Sequence, residues 1–448
     1  MTISNYHHTY LGGLSTAEVR QIFSEKNSMQ KWLDVEAALA YAEATMGLIP
    51  LDAAKVIEQN AHIESLDLDA VLIEIEKTGH ALIPVINALA QACGEAGEYI
   101  HWGGATQDIM DTAVVLQVKQ VLHIVKRDFT QIVNNFSALA SQHASTPMLG
   151  RTHYKSTIPI SFGFKLSIWL NELARHKERL SQLEPRVLQG QLSGAVGTMA
   201  GFDNYPFEIQ ELTLNKLGLN SPDITWHSAR DTLSELCCFA ALLAATLEKI
   251  AVEIINLQRP KLGELELGEL TEQQANTNCL IPINCENIIA ASTLIKSGLS
   301  AMLTTMAPAH ERDNSTWIAE SAKLPETLIL LTSSLHNMVS VSEHLEVNAD
   351  NMEKNIIQTH GFVFSESLAL ALAKHIGRRS AYKVVDEISV AANKGKIAFQ
   401  EVAYGNKTVS EHLSPDDLSA VFSLKKSLAS SEYFCARTAA KLTPLKRT

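Results

Sequence analysis

Several chemically versatile side chains fall within ten residues near the middle of the chain, between Gly150 and Pro159. Arg151, Thr152, His153 and Lys155 lie there almost in succession. An imidazole titrates near neutral pH and can transfer protons, whereas arginine and lysine hold carboxylates. Burying these charged and polar side chains in a core would cost free energy, and an ordinary surface does not require them to be clustered. We therefore predict a carboxylate-binding, proton-transferring loop here rather than a solvated loop.

A second polar segment, His101 to Thr112, precedes a long helical pattern. Gly103 and Gly104 let the backbone approach a ligand closely, while Thr106 and Gln107 offer hydrogen bonds beside a positive helix end. The pattern is compatible with a ligand-binding loop and with an ordinary capping loop.

Other polar segments are less informative. The small-residue turn Ser193–Thr198 lacks the glycine and lysine spacing of phosphate-binding loops. Trp226–Asp231 and His310–Asp313 each combine an arginine with a histidine and an aspartate. His80 is either a ligand-binding or a partly buried structural histidine. Because no His, Cys or carboxylate cluster has metal-ligand spacing, we predict no metal site.

The elements that position these segments are predicted to be helices, because apolar residues recur with a helical period. Helical patterns begin at Thr112 and cover about 159–183 and 325–345. From Asp231 a heptad-like apolar seam runs in alternating steps of three and four residues. It comprises Leu233, Leu236, Ala240, Leu243, Leu247, Ile250, Ile254 and Leu257. With hardly any β-alternation, the prediction is an all-α bundle of long helices.

Breaks in the pattern predict three regions: an N-terminal helical domain 1–110, a central long-helix bundle 111–355 and a C-terminal helical domain 356–448. The first contains a predicted helix over Ser28–Met46. Its packing face comprises Trp32, Val35, Ala38, Leu39 and Tyr41. Long helices that are apolar on more than one side need partners, so we expect oligomerisation through the bundle.

The composition excludes some classes of function. The 448 residues carry 49 Asp and Glu against 37 Lys and Arg, a formal net charge of −12. This balance argues against a nucleic-acid partner or an anionic-membrane partner. The longest apolar run, which includes Cys237–Ala245, is far shorter than a membrane span, and the polar segment Met1–Tyr10 shows no signal sequence. The six cysteines lack disulfide-framework spacing. We therefore expect a cytoplasmic protein.

Taken together, the segments resemble the fumarase/aspartase (fumarate lyase) superfamily, and most closely its branch with adenylosuccinate lyase and 3-carboxy-cis,cis-muconate cycloisomerase. The resemblance covers nearly the whole chain. It is carried by Trp32-Leu-Asp-Val-Glu-Ala-Ala-Leu, His101-Trp-Gly-Gly-Ala-Thr-Gln-Asp, Thr146-Pro-Met-Leu-Gly-Arg-Thr-His153, Trp226-His-Ser-Ala-Arg230-Asp and His310-Glu-Arg312. It implies an all-α, three-domain subunit in a homotetramer, with each active site formed by segments from three subunits and with no cofactor.

The chemistry implied by the resemblance is abstraction of a proton next to a carboxylate, followed by expulsion of a group from the neighbouring carbon. His153 matches the leaving-group acid or its partner, and Thr106 matches a serine that binds substrate carboxylate. His80 and His101 match active-site histidines of adenylosuccinate lyase. Lys155 replaces a glutamine that touches substrate, and its added cation would favour a more anionic ligand.

One family segment departs from its pattern. The mobile catalytic loop of the family reads roughly Gly-Ser-Ser-x-Met-Pro-x-Lys-x-Asn-Pro, but this chain has Glu272–Pro282 there. Gln273 and Gln274 occupy the serine positions, Cys279 the lysine position and Ile281 the asparagine position. Glutamine cannot act as the carbon-acid base, and the cation that stabilises an enolate-like dianion is missing.

Three explanations for this departure stay open. Thr277 or an activated Cys279 serves in the loop, although a packing role is commoner for such a cysteine. Alternatively, a histidine supplies the base, with His153 as the first candidate. In the third explanation, the protein is a non-catalytic relative that binds a small anion or serves as an assembly partner. The predicted catalytic residues are His153, Thr106, His101, Thr277 and Cys279, and the predicted substrate-binding residues are His80, Thr152, Lys155, Arg230 and Arg312.

The substrate class follows from the segment after Arg312. Adenylosuccinate lyases have a phosphate-binding arginine where Ser321 stands here, whereas Trp317 and Glu320 resemble the cycloisomerase pattern. Loss of that cation argues against a nucleotide. The hypothesis is a lyase or cycloisomerase acting on a small polycarboxylate, either a succinyl adduct or a carboxymuconate-like acid. The alternative is a diverged homologue that binds a small anion.

Overall fold

The computed structural model describes residues 12–202, 204–268 and 282–442. Its helices, in chain order, are α1 Ala17–Ile22, α2 Glu25–Thr45, α3 Leu51–Asn60, α4 Leu68–Thr78, α5 Ile83–Cys93, α6 Thr106–Gln142, α7 Phe162–Val187, α8 Pro206–Leu217, α9 Asp231–Gln258, α10 Ile283–Thr304, α11 Asn314–Glu343, α12 Ala349–Ile357, α13 Ser365–Ile376, α14 Arg378–Gly395, α15 Phe399–Gly405, α16 Lys407–His412, α17 Pro415–Val421 and α18 Leu424–Leu442. The strands are β1 Pro147–Thr152, β2 Lys155–Ser161, β3 Leu265–Leu267 and β4 Leu345–Val347. Short 3-10 helices cover Gly12–Leu14, Ile63–Ser65, Gly94–Tyr99 and Phe362–Phe364.

The predicted all-α fold built from long helices is confirmed: α6 has 37 residues and α11 has 30. The apolar seam also lies where the sequence predicts it, on helix α9. All eight of its residues are buried, with at most 1% of their surface exposed. The repeated apolar spacing therefore marks a core face.

The chain divides into two compact units. Unit 1 comprises Met1–Phe129, His176–Glu248 and Glu286–Met338, and unit 2 comprises Thr130–Arg175, Lys249–Cys285 and Val339–Thr448. The predicted boundaries of the three domains, near residues 110 and 355, stay a prediction.

Helix α2 in unit 1 begins after Ser24, whose hydroxyl oxygen accepts the Asn27 N–H at 3.2 Å. Val35, Ala38 and Leu39 are buried, as predicted for its packing face. The prediction is wrong for Tyr41, which is 39% exposed. Its ring lies 4.5 Å from the Lys216 ammonium, a cation–π contact that keeps the aromatic side chain at the surface.

Two helices in unit 1 begin earlier than predicted. Helix α6 begins at Thr106 rather than Thr112, because the Asp108 carboxylate accepts the Ala105 N–H at 2.9 Å and so stabilises an earlier start. Helix α11 begins before Pro325, since the Asp313 carboxylate accepts the Ser315 N–H at 2.9 Å. Apolar periodicity underestimates both helices because their first turns are polar.

In unit 2 the predicted loop 150–159 is an antiparallel hairpin of β1 and β2, with Leu149 paired to Pro159 and Thr152 to Lys155. The helix predicted over about 159–183 is α7, which begins slightly later than predicted, at Phe162. The Ser161 hydroxyl oxygen accepts the Phe164 N–H at 3.1 Å and caps this helix. The residues of β2, Lys-Ser-Thr-Ile-Pro-Ile-Ser, do not alternate strictly between polar and apolar, so the sequence lacks the two-residue period of a strand.

Strands β3 and β4 pair antiparallel in unit 2, Leu265 with Val347 and Leu267 with Leu345. Within the described ranges, no single helix is both long and apolar enough to span a membrane. Helix α12 and the run Phe362–Ile376 meet that test only when joined, and they are bent by 79° at the break between them.

Candidate functional site

The carboxylate of Asp108 organises the start of helix α6. It is fully buried and also accepts the N–H groups of Ser193 and Gly194 at 2.9 and 2.8 Å. Its Oδ1 lies 2.7 Å from Nε2 of His227. Three segments that are far apart in the chain, around residues 105, 193 and 227, are therefore held together by one side chain. Such charge-assisted hydrogen bonds compensate for the burial of the carboxylate.

Next to Asp108, a buried ion-pair cluster surrounds Arg230, which is 4% exposed. Its Nη1 and Nη2 donate to the two Asp111 oxygens at 2.7 and 3.0 Å, and its Nε donates to Glu320 Oε2 at 3.0 Å. Nη2 also contacts Glu320 Oε1. Trp317 Nε1 donates to Asp111 Oδ1 at 2.9 Å, and the Trp226 ring lies 4.8 Å from the guanidinium. The hydrogen-bond donors of the guanidinium are thus directed to two carboxylates, those of Asp111 and Glu320.

Burial opposes the charge on Arg230, but the charge of Asp111 and the hydrogen bonds from Glu320 and Asp111 outweigh it and raise the pKa of Arg230. The side chain therefore stays cationic. The geometry favours a role in holding α6, α9 and α11 together. Its predicted role in substrate binding stays a prediction.

Arg312, the other predicted substrate-binding arginine, lies in a different environment. It is exposed, and its Nε donates to Gln107 Oε1 at 3.1 Å. Gln107 is buried and donates in turn to Asp111 Oδ2 and to the His227 carbonyl, both at 3.1 Å. Arg312 forms no ion pair with a carboxylate in the described part of the chain. A cation is thus tethered beside the start of α6 with donors left for an anion.

Thr106, the first residue of α6, is half-buried. His101 lies in the loop before it with a positive φ of 62°. Nδ1 of His101 is 2.7 Å from Oε1 of Glu36, a buried residue of α2. Burial lowers the pKa of His101, but the hydrogen bond and charge of Glu36 and the charge of Asp108 outweigh burial, so the pKa is raised.

His80 lies between α4 and α5 and is half-buried. Its Nδ1 accepts the Ile83 N–H at 3.2 Å, so it caps the first turn of α5. This contact is local, and a role of His80 in substrate binding stays a prediction.

In unit 2, His153 occupies the tip of the β1–β2 hairpin. The two residues between the strands, His153 and Tyr154, have φ of 51° and 61°, the left-handed conformations of a tight hairpin turn. Thr152, His153, Tyr154 and Lys155 are all exposed. The hairpin thus presents the predicted acid and the predicted cation together. Positive φ at two non-glycine residues costs energy, so the pairing of β1 with β2 must hold this turn in place.

Arg151, next to this turn, forms an ion pair with Glu264. Its Nη1 and Nη2 donate to the Glu264 carboxylate at 2.9 and 2.5 Å, and Asn355 Nδ2 donates to the same carboxylate at 2.8 Å. Glu264 is fully buried. This arginine therefore anchors the hairpin to the segment that leads into β3.

Thr277 and Cys279 lie outside the described residues, as do Gln273, Gln274 and Ile281. Their roles stay predictions. In the described ranges, no group of three or more His, Cys, Asp or Glu residues could hold a metal ion.

Sequence reasoning missed the pairing residues of the site. Glu36 lies in the quoted Trp32-to-Leu39 segment, where its helical spacing from the apolar residues Trp32 and Leu39 is the available signal. The sequence marks Asp108 only as part of the polar segment His101 to Thr112, and it predicts no role for the side chains of His227 and Glu264. The three contacts Glu36–His101, Asp108–His227 and Arg151–Glu264 each join residues at least 65 positions apart in the sequence.

A cavity of about 370 Å³ adjoins the Arg230 cluster within unit 1. Its wall includes the side chains of Met29, Trp32, Met110 and Trp317. The charged groups in its lining are Arg20, Glu25, Asp111, Glu320 and Glu326. An aromatic and thioether wall with a single arginine suits an organic group better than a phosphate.

Comparisons with known proteins give a consistent result. Residues 14–275 match a family model described as lyase, and residues 361–438 match one described as adenylosuccinate lyase C-terminus. The chain is 37% identical to the N-acetyl-S-(2-succino)cysteine lyase of Dickeya dadantii (strain 3937), over 90% of this chain and 89% of the relative. It is 38% identical to the adenylosuccinate lyase of Pyrococcus horikoshii, over 90% of each. The crystal structure of the 3-carboxy-cis,cis-muconate lactonizing enzyme of Pseudomonas putida superimposes with a TM-score of 0.90 at 31% identity, covering 96% of this chain and 98% of that one.

Proposed function

This chain belongs to the fumarate lyase superfamily, and we propose that it is a lyase that releases fumarate from the succinyl adduct of a small molecule, preferably a succinyl thioether. The observation that carries the proposal is the exposure of Arg312 and its lack of an ion-pair partner among the described residues. This cation is tethered through Gln107 at the start of α6. Such a group can hold a substrate carboxylate by charge-assisted hydrogen bonds.

The proposed reaction is a β-elimination. A base removes a proton from the methylene carbon next to one carboxylate, and the C–H electron pair becomes the C=C bond of fumarate. The C–S electron pair leaves with sulfur, which takes a proton from an acid. Arg312 and Thr106 would hold a carboxylate, and this stabilises the charge that develops during proton removal. His153 would be the acid, and the base would be Thr277, Cys279 or a histidine.

Two observations support a succinyl thioether over a nucleotide adduct. The cavity beside the cluster has Ser321 in its lining, where adenylosuccinate lyases have a phosphate-binding arginine, and Arg20 is the one cation among its lining residues. Arg20 in that lining already donates to the Ser15 hydroxyl at 2.7 Å. The relatives include both kinds of lyase, one with 37% identity named for a succinyl thioether of cysteine and one with 38% named for adenylosuccinate, so the choice rests on the lining of the cavity.

A second candidate, the cycloisomerase reaction of a carboxymuconate, has its own support. Trp317 and Glu320 resemble the cycloisomerase pattern, and both are built into the buried cluster through Asp111 and Arg230. In that reaction the same proton-transfer groups would close or open a ring.

We further propose a homotetramer, because the resemblance implies active sites assembled from three subunits. The hairpin that carries His153 and Lys155 supports this. Both side chains are exposed in the single chain, so a second subunit would supply the surface that encloses a substrate beside them. Light scattering on the purified protein tests the assembly. A monomer at micromolar concentration would contradict it.

The activity test compares N-acetyl-S-(2-succino)cysteine, adenylosuccinate and 3-carboxy-cis,cis-muconate, with products separated by chromatography. We expect fumarate and free thiol from the first, with kcat/KM about 100-fold or more above that for adenylosuccinate. Lactone formation from the third acid alone would favour the cycloisomerase. Anion binding without turnover of any of the three would favour the non-catalytic homologue.

The role of Arg312 is tested by Arg312→Met. We expect kcat/KM to fall about 10- to 100-fold, the usual effect of losing a charged hydrogen bond to substrate. Arg379→Met, on the exposed surface of α14, is the matched control and should leave kcat/KM unchanged. Equal activity of the two variants would remove Arg312 from the site.

A further inference from the structure

We propose that Glu36 is a positioning residue that holds the His101 ring as an imidazolium, with its Nε2–H available to a substrate carboxylate. This inference rests on the proposed function, because it gives His101 a specific role at the same site. Glu36 lies on α2, 65 residues before its partner.

The geometry of the pair is that of a buried carboxylate orienting an imidazole. Glu36 is 2% exposed and its Oε1 lies 2.7 Å from His101 Nδ1. Its other oxygen, Oε2, has no hydrogen-bond partner among the described residues. A buried carboxylate with a single partner requires that partner to carry a proton, and preferably a positive charge.

The backbone of His101 is adapted to this contact. Its φ of 62° lies in the left-handed region, which is unfavourable for a histidine, and Gly103 has a φ of 72° two residues later. The Glu36 contact uses Nδ1, so Nε2 of a partly exposed ring is left to face a ligand.

The charged groups that act on His101 come from two packed helices. Glu36 on α2 and Asp108 on α6 both favour the imidazolium, against the effect of burial. Asp108 is itself engaged by His227 and by three backbone N–H groups. Glu36 is therefore the group whose only described partner is His101.

Glu43 provides a matched comparison on the same helix. It is fully buried, and neither of its oxygens has a hydrogen-bond partner among the described residues. Burial, followed by the charge of Glu36, raises the pKa of Glu43 to about 9, so it is neutral at pH 7. Replacing it with glutamine leaves the charge near His101 unchanged, whereas the same replacement at Glu36 removes a negative charge.

The experiment measures the titration of His101 by NMR of the ring C–H groups in the full-length protein, assigned with His101→Gln. We expect Glu36→Gln to lower the pKa of His101, and Glu43→Gln to leave it unchanged. In parallel, kcat/KM for N-acetyl-S-(2-succino)cysteine is measured from pH 5.5 to 9. For each unit by which the pKa falls, Glu36→Gln should lose about tenfold in kcat/KM on the alkaline side and little on the acid side.

Two controls keep the inference testable. If Glu36→Gln does not fold, Glu36→Asp retains the charge at a longer distance and should give a smaller downward shift of the pKa. In the His101→Gln background, Glu36→Gln should have no further effect on kcat/KM, since the two residues act as one unit.

The outcomes separate the inference from the proposed function. An active enzyme in which Glu36→Gln changes neither the titration of His101 nor the alkaline limb would overturn the inference alone. A wild-type protein that turns over none of the three acids would overturn the proposed function. An NMR shift without a change in the pH profile of an active enzyme would also overturn the positioning role.

Discussion

Oδ1 of Asp108 and Nε2 of His227 lie 2.7 Å apart, and both side chains are almost fully buried. This hydrogen bond joins the first turn of α6 to the segment before α9. Three backbone N–H groups complete the coordination of the same carboxylate. The arrangement places Thr106, Gln107 and Arg230 in one region, so its loss should affect the whole site.

Asp108→Asn should destabilise the protein by about 3–5 kcal/mol, because an amide offers one acceptor where the carboxylate satisfies several donors. The measurement is urea unfolding followed by circular dichroism at fixed protein concentration. Asp313→Asn is the matched control. The partly exposed Asp313 carboxylate also accepts two backbone N–H groups, those of Ala309 and Ser315, near the start of α11. This control substitution should cost only about 1 kcal/mol. Equal losses would show that Asp108 is an ordinary cap.

Glu43 should make stability depend on pH. Its pKa in the folded protein is about 9, above the ordinary value of 4.5, so between these values the unfolded chain ionises while the folded one holds its proton. Stability is therefore lost as pH rises through this window, by about 1.4 kcal/mol per pH unit. Glu43→Gln removes the titrating group. Its free energy of unfolding should match wild type near pH 4.5 and exceed it increasingly toward pH 8.

The exposed residue Glu74 supplies the control for that comparison. The difference between Glu74→Gln and wild type should stay small at every pH. A difference between Glu43→Gln and wild type that does not change with pH would contradict the prediction.

Replacing Arg230 should lower the stability of the protein, whereas replacing Arg312 should leave stability nearly unchanged and weaken substrate binding. Arg230→Met leaves the buried carboxylates of Asp111 and Glu320 without their cation, so it should cost about 3–5 kcal/mol of stability. Arg312→Met removes an exposed side chain and should cost less than about 1 kcal/mol. Thermal unfolding of both variants checks this. A larger loss from Arg312→Met would mean that its contact with Gln107 is structural.

The Arg151–Glu264 pair should control the order of the hairpin that carries His153. Glu264→Gln should cost about 3 kcal/mol and increase amide hydrogen exchange over residues 147–161, because a buried bidentate partner of Arg151 is weakened. The exposed pair Lys407–Glu411 serves as the comparison. Glu411→Gln should change stability by less than about 0.5 kcal/mol. Unchanged exchange in the hairpin of Glu264→Gln would refute the anchoring role.

The helical architecture was predictable from the sequence because it depends on local repetition. The seam from Leu233 to Leu257 recurs at helical spacing, and every one of its residues is buried in α9. The starts of α6 and α11 were not predictable in the same way. They depend on Asp108 and Asp313, whose carboxylates accept backbone N–H groups in polar first turns that carry no apolar period.

The amino-acid sequence by itself determined the all-α class, the long helices and the polar segments in which the chemistry is concentrated. Tertiary structure alone decided how these residues pair. In the folded chain Arg230 is paired with two carboxylates, and Arg312 is exposed. Glu36 contacts His101 across 65 residues of sequence. The physical reason is that apolar periodicity depends on neighbours within a few residues of the chain. The protonation and availability of a charged group depend instead on burial and on partners that only the folded chain brings within hydrogen-bonding distance.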